Sequence, residues 1–198
     1  MERYELPEGW EWKQLGDKNY FDLIMGQSPP SHTYNLKGEG LPFFQGKAEF
    51  GELHPVAKKH CSAPTRTAKK DDVLISVRAP VGPTNLADRE CCIGRGLAAI
   101  RCKEKVLPRY LLYALRNMEN EIATMVRDQG GGFTAIKRNQ LAAIEIPLPP
   151  LYEQRRIVAR IEEISRRVEE TRRVQQEIHS ELNKVTPSVL SKAFRGEL

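Results

Sequence analysis

The 198-residue chain is poor in cysteine, with only four, and Cys61, Cys91, Cys92 and Cys102 contain no C-x-x-C spacing. That excludes a dense disulfide framework and leaves reduced, structural thiols as the reading. His60 beside Cys61 completes no ligand pattern, so no metal is expected. Long apolar runs are missing as well: nothing approaches the roughly 18 residues of a membrane span. The opening Met1-Glu-Arg-Tyr-Glu5 is not the basic, then apolar, start of a signal peptide. No membrane partner is expected, and the cytoplasm is the expected location. Nucleotide loops are absent too, because Gly94-Arg-Gly96 and Gly130-Gly-Gly132 lack the dinucleotide spacing and no G-x-x-x-x-G-K-[S/T] occurs. No serine or cysteine sits in a G-x-S-x-G elbow, and His32, His54, His60 and His179 are scattered. Glu11-Trp-Lys13 matches a nuclease E-x-K only by chance, without a preceding Asp to complete a metal site. Pro149-Pro-Leu-Tyr152 lacks the amide or carboxylate that adenine methyltransferases place before their P-P-Y. No catalytic residue and no cofactor is expected.

What is present is a folded chain with an appendage. Hydrophobic residues make up 40% and charged residues 29%, enough apolar material for a core and too much for disorder. Lys and Arg number 31 against 26 Asp and Glu, a net charge of +5 that fits a polyanionic partner. The clearest boundary follows Ile144-Glu-Ile-Pro-Leu-Pro-Pro-Leu151, where an alternating edge strand runs into prolines that force an extended exit. Residues 1–150 are expected to form the globular unit and residues 151–198 a long helix. From Glu153 to Ser191 there is no Gly, and Pro187 is the single Pro, expected to fray or kink the far end.

The helix carries a heptad seam. Ile157, Ile161, Ile164, Val168, Thr171, Gln175, Ile178, Leu182, Val185 and Val189 follow at alternating steps of four and three, which is the a/d pattern of a coiled coil. Mixed Arg and Glu fill the other positions. Such a narrow seam calls for another seam, in a second copy or a similar chain. Thr171 and Gln175 interrupt it with polar groups that can fix register.

In the globular part, Lys69-Lys-Asp-Asp-Val-Leu-Ile-Ser-Val-Arg78 predicts a charged turn feeding a buried strand, and Cys91 to Arg101 a second strand reached through Gly94-Arg-Gly96. Pro108 opens a helix whose apolar face is Leu111, Leu115, Met118, Ile122 and Met125. A glycine loop from Gly130 leads into a short helical stretch, Arg138 to Ala143. Strands and helices without βαβ spacing predict an irregular α+β fold.

Binding features are richer than catalytic ones. From Leu53 to Lys70 the chain carries Lys58, Lys59, Arg66, Lys69 and Lys70 and no acid. Loops at Gly26–His32, Phe43–Lys47, Val77–Gly82 and Gly132–Lys137 offer side chains suited to phosphates and base edges. The candidate DNA contacts are Gln27, Ser28, Gln45, Lys47, Lys58, Lys59, Arg66, Arg78, Arg95, Thr134, Lys137 and Arg138. Composition alone does not show that they converge.

The order of these segments resembles the specificity subunits of type I restriction-modification systems. The resemblance rests on Leu6-Pro-Glu-Gly-Trp-Glu-Trp-Lys-Gln-Leu-Gly16, Gly26-Gln-Ser-Pro29, Leu41-Pro-Phe-Phe-Gln-Gly46, Asp72-Val-Leu-Ile-Ser-Val-Arg-Ala-Pro-Val-Gly82 and Phe133-Thr-Ala-Ile-Lys137. It continues through Ile144-Glu-Ile-Pro-Leu-Pro-Pro-Leu-Tyr-Glu-Gln-Arg-Arg-Ile-Val158, its most specific element, to Lys192-Ala-Phe-Arg-Gly-Glu-Leu198. It implies a target recognition domain followed by a spacer helix, a double-stranded DNA partner, and methyltransferase and restriction subunits that do the chemistry. Typical members carry two such units over a bipartite site, whereas this sequence holds one. The residues by themselves leave two classes open: a non-catalytic DNA-reading subunit, or a coiled-coil scaffold with a protein-binding head. A stand-alone DNA-modifying enzyme is disfavoured by the absent motifs.

Overall fold

Val73-Leu-Ile75 is a short apolar run, too brief for a helix, and with Ser76 it forms a strand in which every residue is buried. The rest of the architecture assembles around it. The computed structural model describes residues 5–127 and 135–196. Its strands are β1 (Glu11–Gln14), β2 (Phe21–Met25), β3 (Tyr34–Asn35), β4 (Leu41–Phe44), β5 (His60–Cys61), β6 (Thr67–Ala68), β7 (Val73–Ser76), β8 (Thr84–Leu86), β9 (Cys91–Ile93), β10 (Leu97–Cys102) and β11 (Glu145–Leu148). The helices are α1 (Pro108–Asn117), α2 (Glu119–Arg127), α3 (Arg138–Ala142) and α4 (Leu151–Phe194).

Among the described residues the strands form three sheets. An antiparallel sheet runs β2-β10-β7-β8, and a more irregular one runs β3-β5-β4-β9-β6, with β4 and β9 parallel. The third pairs β1 with β11 antiparallel, Glu11 opposite Leu148, so the proline-containing strand is an edge, where a missing N–H does least harm. The core is shared between the two larger sheets: Phe44, Ala68, Leu74, Ala87, Cys91, Ile93, Leu97 and Ala99 form one buried cluster. The chain is thus a mixed α+β unit followed by a long helix, as its periodicities predict.

Two predicted elements are divided. The single strand expected from Cys91 to Arg101 is two strands in different sheets: β9 pairs with β4 and β6, and β10 with β2 and β7. Gly94-Arg-Gly96 is the turn between them, closed by the Leu97 N–H on the Gly94 carbonyl at 3.0 Å. The helix expected from Pro108 to Met125 breaks at Met118, whose ψ of 5° leaves the helical range. Leu111, Leu115, Met118 and Ile122 remain buried across the break, while Met125 is 36% exposed.

By contact density the chain divides into Met1–Arg155 and Arg156–Leu198. At the end of the first unit, Gln154 is fully buried and its side chain makes three hydrogen bonds: Oε1 accepts the Leu107 N–H at 2.8 Å, and Nε2 donates to the carbonyls of Lys105 and Pro149 at 3.0 and 2.9 Å. The first turn of α4 is thereby tied to the start of α1. The second unit is helical through Pro187 to Phe194, and i,i+4 pairs such as Arg167 with Glu163 at 2.6 Å decorate it. No helix among the described residues is long and apolar enough to cross a membrane.

Cys61, Cys91 and Cys92 belong to the core, and Cys102 is half-buried at the end of β10. Burial pushes Cys91 and Cys102 up to about 12, and Cys92 up to about 11. At pH 8 each is therefore almost wholly protonated, and only the thiolate reacts. The expected result with a chromogenic disulfide reagent at pH 8 is slow labelling of these three, rising to the unhindered rate in denaturant. Rapid labelling of the folded chain at any of the three would contradict this burial.

Candidate nucleic-acid interface

Strand direction brings the predicted loops together. β4 and β9 are parallel, so Gln45 and Gly94 leave the sheet at the same end. β5 and β6 run opposite to their neighbours, so Lys58, Lys59 and Arg66, which precede them, lie at that end as well. In the other sheet Met25 pairs with Ala98 and Ser76 with Leu97, which delivers Gly26-Gln27 and Val77-Arg78 beside Gly96. Backbone hydrogen bonds then lock the loops to one another. The Gln27 N–H donates to Ile93, Gly94 to Phe44, Val77 to Gly96 and Ile136 to Val77, at 2.8 to 3.0 Å. Ala135 bridges Arg78, so the described end of the fourth loop joins the others.

Two glycines make this approach possible. A Cβ on Gly26 would lie 2.2 Å from the Gly94 carbonyl oxygen, and one on Gly96 would lie 2.2 Å from that of Gln45. Between the loops lies a cavity of about 200 Å³ lined by Ser28, Gln45, Gly46, Lys47, Ser76, Arg78, Ala79, Arg95 and Gly96. None of these is acidic. Lys47, Arg78 and Arg95 are exposed, and among the described residues none of their side chains is in an ion pair. Three unneutralised cations around a polar hollow favour an anion, and Gln45 adds a donor and an acceptor in one plane. Ser28 shapes the rim, its Oγ accepting the Arg95 N–H at 3.2 Å.

The predicted residues are not all gathered here. Gln45, Lys47, Arg78, Arg95 and Ser28 line the cavity, and Gln27 is exposed next to Ser28. Lys58 reaches the Ala48 carbonyl with its ammonium at 3.5 Å, beside the Gln45–Lys47 turn, and Lys59 accepts the Phe43 N–H at 2.9 Å. Arg66 is exposed and accepts the Ile93 N–H at 3.0 Å. Lys137 is exposed at the start of α3, whereas the Arg138 guanidinium donates to the Leu23 carbonyl of β2 at 3.0 Å. Thr134 and the Gly130–Phe133 segment lie outside the described residues, as does the side chain of Val185.

The Lys58-to-Lys70 stretch is split, since Lys69 and Lys70 precede β7 and so lie at the opposite end of the sheet from Arg78. There the Lys69 N–H donates to Asp72 Oδ2 at 2.7 Å, and Arg101 grips the same carboxylate through Nε and Nη2 at 2.9 and 2.8 Å. Sequence reasoning also missed Ser76 and Glu49. Ser76 is buried and donates from Oγ to the Arg78 carbonyl at 3.0 Å, steadying that loop. Glu49 Oε2 accepts the N–H groups of Gln45 and Gly46 at 3.3 and 3.1 Å. A Glu three residues after Gly46, in a segment of turn composition, was the available signal for it.

A mixed α+β unit with converging polar loops, followed by a long helix, is an architecture shared with known DNA specificity domains. The chain belongs to the type I restriction modification DNA specificity domain family, whose model matches residues 7–180. It is similar to the putative type I restriction enzyme MjaX specificity subunit of Methanocaldococcus jannaschii, with 44% identity over 194 residues, 96% of this chain and 45% of that protein. Among solved structures it resembles a chain from a study of assembly and conformational transition of the type I R-M system, with a TM-score of 0.85 and 52% identity over 98% of this chain and 48% of the other. It also resembles the HsdS subunit from Thermoanaerobacter tengcongensis, with a TM-score of 0.79 and 51% identity over 98% of this chain and 47% of that one. The chain spans about half the length of these relatives.

Proposed function

We propose that this chain is a sequence-reading, non-catalytic specificity unit of a type I restriction-modification complex, which holds methyltransferase and restriction subunits to a DNA site. The observation that carries this reading is the convergence of the loops at the shared strand ends on one polar hollow ringed by Lys47, Arg78 and Arg95. Lysine ammonium groups near the rim neutralise phosphates and set affinity. Arg78, Arg95 and Gln45 have the planar donors and acceptors that match guanine and adenine edges in the major groove. The names of the relatives support the same assignment, and none supports a scaffold with a protein-binding head.

The second half of the proposal concerns α4. Ile164, Val168, Ile178, Leu182 and Val189 are 44% to 61% exposed along it, a stripe that calls for a covering helix. A second copy of this chain, or the matching helix of another specificity unit, supplies a seam of the same spacing. Two copies would place two identical reading surfaces about a two-fold axis, so the site would be an interrupted palindrome.

Selection from random duplexes, using the full chain with its methyltransferase partner, tests the reading. An enriched interrupted sequence is the expected result. Lys47→Ala should weaken all duplexes alike and reduce the salt slope by about 1, whereas Arg78→Ala should relax one position at a cost of about 1 to 3 kcal/mol. Unchanged binding in both variants would remove these residues from the interface.

A further inference from the structure

Glu49 stands beside the basic hollow, where its charge opposes a polyanion. Its geometry supplies a reason for its presence. Gln45 and Lys47 sit on one turn, closed by the Glu49 N–H on Gly46 at 3.4 Å and the Phe50 N–H on Lys47 at 2.9 Å. On its carbonyl side this turn is wedged against the neighbouring loop, where a Cβ on Gly94 would meet the Gln45 Cα at 3.3 Å and one on Gly96 its oxygen at 2.2 Å. On its amide side the same carboxylate oxygen of Glu49 takes both the Gln45 and the Gly46 N–H. The backbone that carries Gln45 is therefore held from two directions.

We infer that Glu49 is a specificity-positioning residue, whose carboxylate gives up general affinity for DNA in order to hold Gln45 in the orientation that discriminates bases. This rests on the reading of the loop cluster as a DNA surface. A side chain that meets its base in a fixed geometry rejects a wrong base sharply, while one on a loose turn adapts to several. A surface acid without that role would only repel phosphate, and its removal would strengthen binding without altering preference.

Three variants of the full chain separate these cases. Each is measured against a random-core duplex library and against one unrelated duplex at low salt. Glu49→Gln keeps an oxygen that accepts both N–H groups and loses the charge. It should bind the unrelated duplex about two- to fivefold tighter and retain the preferences of the parent chain. Glu49→Ala should show the same gain with a loss of about tenfold in preference at one or two adjacent positions, within what one base contact supplies. Glu49→Asp keeps the charge but is one methylene too short to reach both amides, and should lose preference without gaining affinity. Identical selection by the Gln and Ala variants, or parental selection by all three, would overturn the role of Glu49. A parent chain that enriches no sequence would overturn the DNA reading along with it.

Discussion

Asp72→Ala should destabilise the globular unit by about 3 to 5 kcal/mol, a large share of the roughly 5 to 15 kcal/mol that holds a domain folded. The Asp72 side chain is 2% exposed and that of Arg101 32%, and their two parallel hydrogen bonds make the pair bidentate. Removing the carboxylate strands a half-buried guanidinium and also leaves the Lys69 N–H without its acceptor. Asp72→Asn does little better, because its amide group would turn a donor toward a donor. Replacing both partners with apolar side chains of similar size should recover much of the loss, since no orphaned charge then remains. Urea unfolding reads this directly as a lowered midpoint with unchanged slope. A fall below 1 kcal/mol for the single variant would mean that solvent reaches this pair far more freely than its burial indicates.

The second large effect is expected in assembly. If α4 pairs through its heptad seam, the double variant Ile161→Lys, Leu182→Lys would bring two ammonium groups from each chain into the paired interface. Several kcal/mol oppose each such burial, so the dimer should weaken by more than about a thousandfold, at tenfold per 1.4 kcal/mol. Lysine is a good helix former, so the helix itself should persist in circular dichroism. Light scattering at micromolar concentration should then report a dimer for the parent chain and a monomer for the variant. A parent chain that is monomeric alone, yet pairs when mixed with another specificity unit, would identify that unit as the partner. Site selection would in that case return two unrelated half-sites instead of a palindrome.

Much of the fold was legible because burial leaves periodic traces. The apolar run at Val73, the alternation at Ile144 and the unbroken four-three spacing after Glu153 each name their element. The misreadings have equally local causes. Apolar spacing continues through Met118 into Ile122, so a backbone break that keeps the same face buried is invisible to periodicity. Gly94-Arg-Gly96 has the composition of an approach to one strand, although its glycines serve a crossing between two sheets, where Gln45 and Ser28 come close. Nor could the site be assembled from sequence: Ser28 meets Arg95 at a separation of 67 residues, through strand pairings that no local pattern encodes. The basic stretch misled for the opposite reason. Lys58 and Lys70 are near in sequence, but the chain runs through β5 and β6 between them and carries them to different ends.

The placement of the loops beyond the ends of their strands has a consequence for divergence. At the ends of β4, β7 and β9 the last buried hydrophobic residues are Phe44, Val77 (one residue past β7) and Ile93, and Gln45, Arg78 and the Gly94-Arg95 turn follow directly. Exposed chemistry begins one peptide past the packed interior. A lineage can therefore exchange Gln45, Lys47, Arg78 or Arg95 without altering a buried volume, so long as Gly26, Gly96 and the Asp72–Arg101 pair stay in place. If these loops read DNA as proposed, new preferences can then arise by single substitutions that leave the folded state as stable as before, and selection on that surface would proceed almost independently of selection on the scaffold.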